Sequence, residues 1–332
     1  MSLPKVSIVI PCRNEEKYIE KCIFSFIESS FNINELEILI CDGMSTDRTR
    51  DIVNKINSEY PQVKLLDNQK QKTPFALNLG INNAIGEYVL IASAHSSFDK
   101  DYIEVLINKI SSLNADVVGG VMQTKVLNES KKTNSIIKVL SNKFGVGNAI
   151  FRIGIEKPTL VDTVPFGLYK LNLLKKVDGY DNRLIRNHDI EMSKRLLALG
   201  SKIYLIPDTK CYYYARETIS EIMNNNYRNG KWNLKTVFIT KRFSSLSLRH
   251  FIPLAFVLSL VVSLLFGILF HPLFYYLSML SLVTYLLAVS YISIKMYTKK
   301  ASFIYLVLTF FGLHLSYGFG SLVGLFSFFN KK

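Results

Sequence analysis

The sequence predicts an α/β fold, a mostly parallel sheet with helices on both faces, followed by a carboxy-terminal transmembrane helical region. Three observations carry this expectation. Short apolar runs alternate with amphipathic stretches of helical length over the first two thirds of the chain. Three uncharged apolar stretches, residues 251–270, 272–294 and 303–329, close it, and basic residues gather beside them.

Taken in order, Val6 to Ile10 reads as a buried strand that runs into Pro11. Glu16 to Glu28 sets Tyr18, Ile19, Cys22, Ile23, Phe26 and Ile27 on one helical face. Glu37 to Ile40 is the next strand, and Asp47 can cap a helix running to Ser58. Val63 to Leu66 is a short strand, after which Thr73 and Pro74 supply a cap and a first-turn proline for another helix. Tyr88 to Ala92 is too short for a buried helix and apolar throughout, the pattern of a strand covered on both faces. A helix from Asp101 to Leu113 and a strand from Asp116 to Met122 complete the alternation, and crossover helices between strands imply parallel order. Residues 123–160 carry few recognisable patterns; Phe144 to Gly147 suggests a mobile loop.

Each apolar stretch reaches the roughly 20 residues that cross about 30 Å of hydrocarbon. Of the 40 basic residues 35 precede residue 251, as do all 26 acidic ones, so the amino-terminal part carries +9 of the net +14. Lys241, Arg242 and Arg249 lie just before the first span, and Lys295, Lys299 and Lys300 lie between the second and third. The positive-inside rule then puts these residues and the amino-terminal domain in the cytoplasm, with His271 at a tight turn on the far side. Lys331 and Lys332 would fall on that far side, against the rule. No cleavable signal is expected ahead of Val6. The expected domains are a soluble domain over 1–218, an interfacial amphipathic segment over 219–250 and the membrane region over 251–332. A basic surplus beside a membrane anchor suits anionic headgroups and phosphorylated substrates rather than nucleic acid. Cys12, Cys22, Cys41 and Cys211 show no paired metal spacing and suit a reducing compartment.

Chemistry concentrates where the strands end. Past Ala92 the chain turns at once to Ser93, Ala94, His95, Ser96 and Ser97, at the edge where open parallel sheets place ligands. His95 alone also reads as a loop imidazole bonded to a carbonyl. Asp42 ends the strand EILIC; its carboxylate can accept hydrogen bonds from a nucleobase or ribose, or simply form the turn that follows. Asp189 opens a helix with an apolar stripe of Ile190, Leu196, Leu197 and Leu199, and a helix amino terminus keeps a carboxylate ionised whether it caps or acts as a base. Gly167 would allow close backbone approach to a ligand or form a bulge. Arg228 and Lys231, three apart on one helical face, can meet a diphosphate, while Trp232 offers its ring to a sugar or to the interface. The residues after it mix basic and apolar types as a headgroup-level segment does. His314 and the Gly320–Gly324 spacing read as helix packing.

The stretches VSIVIPCRNEEKYIEKCI, EILICDGMSTDRTRDIV and FALNLGINNAIGEYVLIASAH resemble the family 2 glycosyltransferases, inverting enzymes with the GT-A nucleotide-sugar fold. DTVPFGLYK, RNHDIEMSKRLLALGSKIYLIP, YRNGKW and SLSLRHFIPLAFVLSL are similar to their membrane-anchored, succinoglycan-type branch. The resemblance runs from residue 5 to about 265, with the motifs in the family's order. It implies donor-binding roles for Pro11, Arg13 and Glu15, with Asp42 on the uracil or ribose. Lys72 looks like the base-contacting lysine, one position further from Asn78 than the common spacing. Ser93, Ala94 and His95 occupy the place of the Asp-x-Asp motif, so His95 is the implied ligand of a divalent cation, Mn²⁺ or Mg²⁺, and Ser93 replaces a carboxylate. Asp189 is the implied general base where the family has Glu-Asp and this chain has His188 before it. Gly167 and His188 fall on the acceptor side, Glu191 matches a second acidic position, and Arg228, Lys231 and Trp232 match the family's diphosphate and acceptor motif.

The implied function is inverting transfer of a sugar from a nucleotide-diphosphate sugar, a UDP-sugar by expectation, to a polyprenyl-diphosphate-linked saccharide in bacterial surface polysaccharide synthesis. The implied setting is the cytoplasmic membrane, with membrane lipids as partners and no nucleic acid. Two alternatives stand beside it: a polyprenyl-phosphate glycosyl synthase, and a catalytically silent sugar-nucleotide binder motivated by Ser93.

Overall fold

The computed structural model describes residues 5–147 and 149–329; Lys331 and Lys332 lie outside them. In chain order the elements are β1 Val6–Cys12, α1 Ile19–Ile27, β2 Leu36–Asp42, α2 Thr49–Glu59, β3 Val63–Asp67, α3 Thr73–Asn83, β4 Tyr88–Ile91, β5 Ser96–Phe98, α4 Tyr102–Ser112 and β6 Val117–Lys125. There follow α5 Lys131–Leu140, α6 Lys143–Val146, α7 Ile150–Ile153, β7 Thr159–Leu160, β8 Leu168–Lys170, α8 Leu171–Lys176, α9 His188–Ala198 and β9 Ile203–Tyr214. Four helices end the chain: α10 Ile219–Thr240, α11 Ile252–Leu269, α12 Leu273–Met296 and α13 Phe303–Phe329. Phe144 to Val146, expected as loop, belongs to the short helix α6. Contacts divide the chain into a unit of Met1–Gln123 with Ile150–Tyr214 and a unit of Thr124–Ala149 with Ala215–Lys332.

The first unit is built on one mixed sheet in the order β3-β2-β1-β4-β8-β6-β9-β5, with β7 beside β9. Its leading half is parallel, as crossover helices require, with Cys12 level with Asp42 and Val9 level with Ile91. Beyond β4 the pairings to β8, and those of β5 and β7 to β9, are antiparallel. Alternation in β1 and β2 assigns the two faces. Ile8, Ile10, Ile38 and Ile40 pack under α1, α2 and α4 through Ile19, Phe26, Val53 and Leu106. Val9, Leu39 and Cys41 point the other way, onto Leu77 and Ile81 of α3, in a core shared with Leu196 of α9. Gly80 sits where α3 meets β1, and a Cβ there would overlap Val9. These layers bring the carboxyl ends of β1, β2 and β4 to one edge.

In the second unit three helices are long and apolar enough to cross a membrane: Leu248–Leu269, Leu273–Met296 and Phe303–Phe326. The first two are 11 % buried over their most apolar window and the third 50 %, because α10 packs along α13. Gly230 of α10 lies against the Tyr317 carbonyl, and Gly320 and Gly324 of α13 lie against the carbonyls of Tyr227 and Lys231. The two backbones touch where these glycines remove side chains.

Candidate active site

The edge formed by the ends of β1, β2 and β4 opens into a cleft of about 620 Å³ lined by, among others, Arg13, Glu15, Lys72, Ser93, Arg152 and Asp189. Pro11, Gly167 and His188 line it as well. All of these belong to the first unit.

The loop after β1 is stapled to the loop after β2. Asn14, in the left-handed region at φ 56°, donates its backbone N–H to Ser45 Oγ at 2.8 Å, and its side-chain oxygen accepts from Thr46 N–H at 2.8 Å. Asp47 does not continue into the helix; it accepts from Thr49 N–H at 3.0 Å and from Glu16 N–H at 3.2 Å, tying the same loops. Asp42 is fully buried beneath them, behind the cleft-lining Cys12 and Gly43. It accepts from Ser45 N–H at 3.0 Å and Ser45 Oγ–H at 2.5 Å, and it pairs with Arg50 at 2.8 Å. Burial opposes its ionisation, but the Ser45 hydrogen bonds and the Arg50 guanidinium outweigh it and hold the carboxyl below its usual range. Arg50 also reaches Asp67 at 2.8 Å, locking β2 to β3. The neighbour of Asp42 that does line the cleft is Gly43.

Ser93 to Ser96 forms a tight turn: the Ser93 carbonyl accepts from Ser96 N–H at 3.0 Å and from the Ser96 hydroxyl at 2.5 Å. The His95 carbonyl accepts from Tyr214 N–H at 2.9 Å, and Tyr18 packs on the imidazole with ring centroids 4.4 Å apart. His95 Nε2 meets Glu15 Oε1 at 2.9 Å, and Glu15 in turn donates its backbone N–H to Thr49 Oγ1 at 2.7 Å. Ser93 and Glu15 line the cleft; His95 backs them. Without the donor's own phosphates this donor set is too sparse to hold a divalent ion. Position 93 offers a neutral hydroxyl, the Nε2 and carboxylate that could serve are bonded to each other, and oxygen-loving cations take about six donors. Among the described residues no three His, Cys, Asp or Glu side chains gather as a metal site.

On the opposite bank Asp189 lies in the first turn of α9, behind Asn187 in the left-handed conformation at φ 60°. Its side chain is exposed to the cleft. Tyr169 and Tyr180, both cleft-lining, have phenols pushed up by burial first and by the Asp189 charge as a lesser contribution. The His188 ring stands edge-on to Tyr180 at 5.6 Å, and its Nδ1 is buried with no hydrogen-bond partner. Burial lowers the His188 pKa below 6.5, so the ring is neutral at pH 7. Glu191 is turned inward: Arg195 grips it at 2.9 and 3.0 Å and also reaches the carbonyls of Val177 and Gly179, fixing the turn before Tyr180. Gly167 lies where its carbonyl accepts from Ile91 N–H at 3.1 Å, and a Cβ there would stand 2.8 Å from Val164. Phe166 before it holds φ 43° with its carbonyl bonded to the Tyr102 hydroxyl at 3.0 Å.

Arg228, Lys231 and Trp232 lie on α10, in the second unit, where Lys235 sits 5.3 Å over the Trp232 ring. Sequence reasoning missed Arg50, Arg152, Tyr180 and Arg195. Arg50 and Arg195 stand inside stretches that carry the resemblance, and the i, i+4 spacing of Arg195 to Glu191 is a signal that could have found that pair, whereas Arg152 and Tyr180 take their roles from partners distant in the chain.

Residues 7–176 match the model of glycosyl transferase family 2. The succinoglycan biosynthesis protein ExoA of Rhizobium meliloti is 30 % identical over 250 residues, covering 75 % of this chain and 74 % of the relative. A dolichyl N-acetyl-α-D-glucosaminyl phosphate 3-β-D-2,3-diacetamido-2,3-dideoxy-β-D-glucuronosyltransferase of Methanococcus voltae is 29 % identical over 233 residues, covering 68 % and 71 %. Among solved structures, the Pyrobaculum calidifontis mannosyltransferase PcManGT, described in complex with GDP-mannose and Mn²⁺, superposes with a TM-score of 0.62 at 14 % identity over 97 % of this chain and 88 % of that one. Staphylococcus aureus TarS 1–349 in complex with UDP gives 0.51 at 15 % identity, over 94 % and 90 %. Both share the fold, a mixed α/β sheet of the GT-A kind.

Proposed function

The chain belongs to glycosyl transferase family 2, and from that premise we propose that it transfers a sugar from a UDP-sugar to a lipid-linked saccharide in the synthesis of a surface polysaccharide, with inversion at the anomeric carbon. The observation that carries this is Asp189, a carboxylate at a helix amino terminus that shares one cleft with Arg13, Lys72 and the Ser93 turn. Asp189 takes the proton of the acceptor hydroxyl as that oxygen attacks. A single carboxylate suffices for one displacement, because a diphosphate leaves with its charge stabilised rather than protonated.

The other side chains divide the remaining tasks. Pro11, Arg13 and Glu15 border the donor, Lys72 contacts its base, and Ser93 offers a hydroxyl to the diphosphate side. Asp42 acts at one remove, setting the Gly43 loop through Ser45 and Arg50. His95 fixes the Glu15 carboxylate at 2.9 Å. The unpartnered Nδ1 of His188 awaits a sugar hydroxyl, since a buried polar atom left unpaired is costly. Gly167 lets the acceptor approach the backbone. On α10, Arg228 and Lys231 are suited to a diphosphate and Trp232 to a sugar face. On this reading residues 1–218 carry out the transfer in the cytoplasm, 219–250 lie at the interface, and 251–332 anchor the enzyme beside its lipid-linked substrate. Support for the acceptor class comes from relatives whose names place them in succinoglycan and dolichyl-linked glycan synthesis.

The test is release of UDP by membranes containing the protein, supplied with a panel of UDP-sugars and extracted lipid-linked saccharides. Release that requires such a saccharide upholds the proposal. Ready use of bare polyprenyl phosphate would replace it with a lipid-phosphate synthase, and donor binding without turnover for every acceptor would leave only a sugar-nucleotide binder.

A further inference from the structure

Transfer from a nucleoside diphosphate sugar loads charge onto one small region. The anomeric carbon–oxygen bond breaks with its electron pair on the β-phosphate oxygen, the acceptor oxygen bonds the carbon, and the acceptor proton passes to Asp189. The departing diphosphate gains one negative charge, which a nearby cation must meet. The turn at 93–96 supplies hydroxyls and an imidazole already committed to Glu15. One cation beside that turn comes from elsewhere in the chain. Ser96 is level with Tyr213 in the β5–β9 ladder, and the Arg152 guanidinium lies 5.5 Å over the Tyr213 ring and 5.8 Å from that of Phe151. Ser93, Tyr213, Phe151 and Arg152 all line the cleft.

We propose that Arg152 is the cation that binds the donor's diphosphate, taking the part that a divalent ion held at 93–95 would otherwise play. The inference rests on the donor reading given above. Two properties separate Arg152 from Arg13 and Lys72. Those two side chains are exposed, whereas Arg152 is partly buried, and a charge withdrawn from water gains more from an anion. Burial in the wall lowers its pKa, yet a guanidinium keeps its proton at any physiological pH and can offer a phosphate two parallel N–H donors. The Tyr213 and Phe151 rings beside it also favour the cation there.

The experiment compares binding of UDP and of uridine, by calorimetry on the full-length detergent-solubilised protein with excess EDTA, for the wild type, Arg152→Met and Arg152→Lys. The expected result is that wild type binds UDP under EDTA. Arg152→Met should weaken UDP by roughly 10- to 100-fold while leaving uridine within about twofold. Arg152→Lys should recover part of the loss. Uridine reports that the pocket has folded, and the difference between the ligands isolates the diphosphate. UDP binding unchanged in Arg152→Met, or UDP and uridine weakened equally, overturns the assignment of Arg152 and leaves the donor reading intact. Wild-type binding of UDP only when Mn²⁺ replaces EDTA also overturns it. A wild type that binds neither ligand in either condition sinks the donor reading and this inference with it.

Discussion

Asn78 and Tyr180, 102 residues apart, clasp each other through two hydrogen bonds: the Asn78 amide donates to the Tyr180 carbonyl at 2.7 Å and accepts from its backbone N–H at 2.8 Å. The asparagine of the ALN helix therefore holds the wall of the cleft on which His188 rests. It joins the donor bank, built from β1 to β4, to the bank that carries Asp189.

Asn78→Ala should remove both bonds and leave a carbonyl and an N–H of the Tyr180 turn without partners. We expect a loss of about 1–3 kcal/mol, seen as a lower midpoint in thermal unfolding. The KM for the acceptor should rise while UDP affinity stays near the wild-type value. A change confined to UDP would contradict the placement of this clasp.

Asp189→Asn keeps the size of the side chain and removes the base. Turnover should fall by roughly 100- to 10,000-fold, measured as UDP release, with UDP binding unchanged by calorimetry. Retention of full turnover would exclude Asp189 as the base.

His188 sets a pH dependence. Its pKa is lowered by burial, so below 6.5 the unfolded chain binds a proton that the folded protein resists. Its contribution is favourable in full above 6.5 and declines as the pH falls from there toward the folded value. His188→Gln should flatten the stability profile in that acidic window relative to wild type, in denaturant melts taken between pH 7 and pH 5. An unaltered slope would mean that another group governs it.

Gly320→Leu should separate α10 from α13, because a side chain there meets the backbone carbonyl of Tyr227. The expected cost is about 1–3 kcal/mol or more, read as a lower aggregation temperature in detergent. Gly312→Ala on the same helix is the control: its Cβ would meet the Met223 side chain at 2.9 Å, which can turn aside. Equal effects of the two would argue against a backbone-to-backbone contact.

What the sequence made legible was local. The strands β1 to β4 announced themselves as apolar runs between turn residues, α3 by its proline, and α9 by the acidic residue ahead of an apolar stripe. Of the antiparallel half β6 was expected, but β5, β7 and β8 are two or three residues long and too short to show a period of two. Glu15, Ser93 and Asp189, which line the cleft, were singled out through motifs, and Lys72, which lines it too, through a motif whose spacing it misses by one position. His95 was placed by the same motif as an ion ligand, and the structure turns it to Glu15, a pairing across 80 residues that no local pattern encodes. Arg152 stayed hidden for the same reason, its ring partner Tyr213 lying far along the chain, whereas Arg195 and Glu191 did stand at the i, i+4 spacing of one helical face.

The three glycine contacts between α10 and α13 leave no axial play. Sliding one helix by a turn, about 5.4 Å, would drive ordinary side chains into carbonyls, so α10 must move together with α13. Arg228 and Lys231 therefore keep a fixed axial position along α13, so a displacement of that helix carries both cations with it.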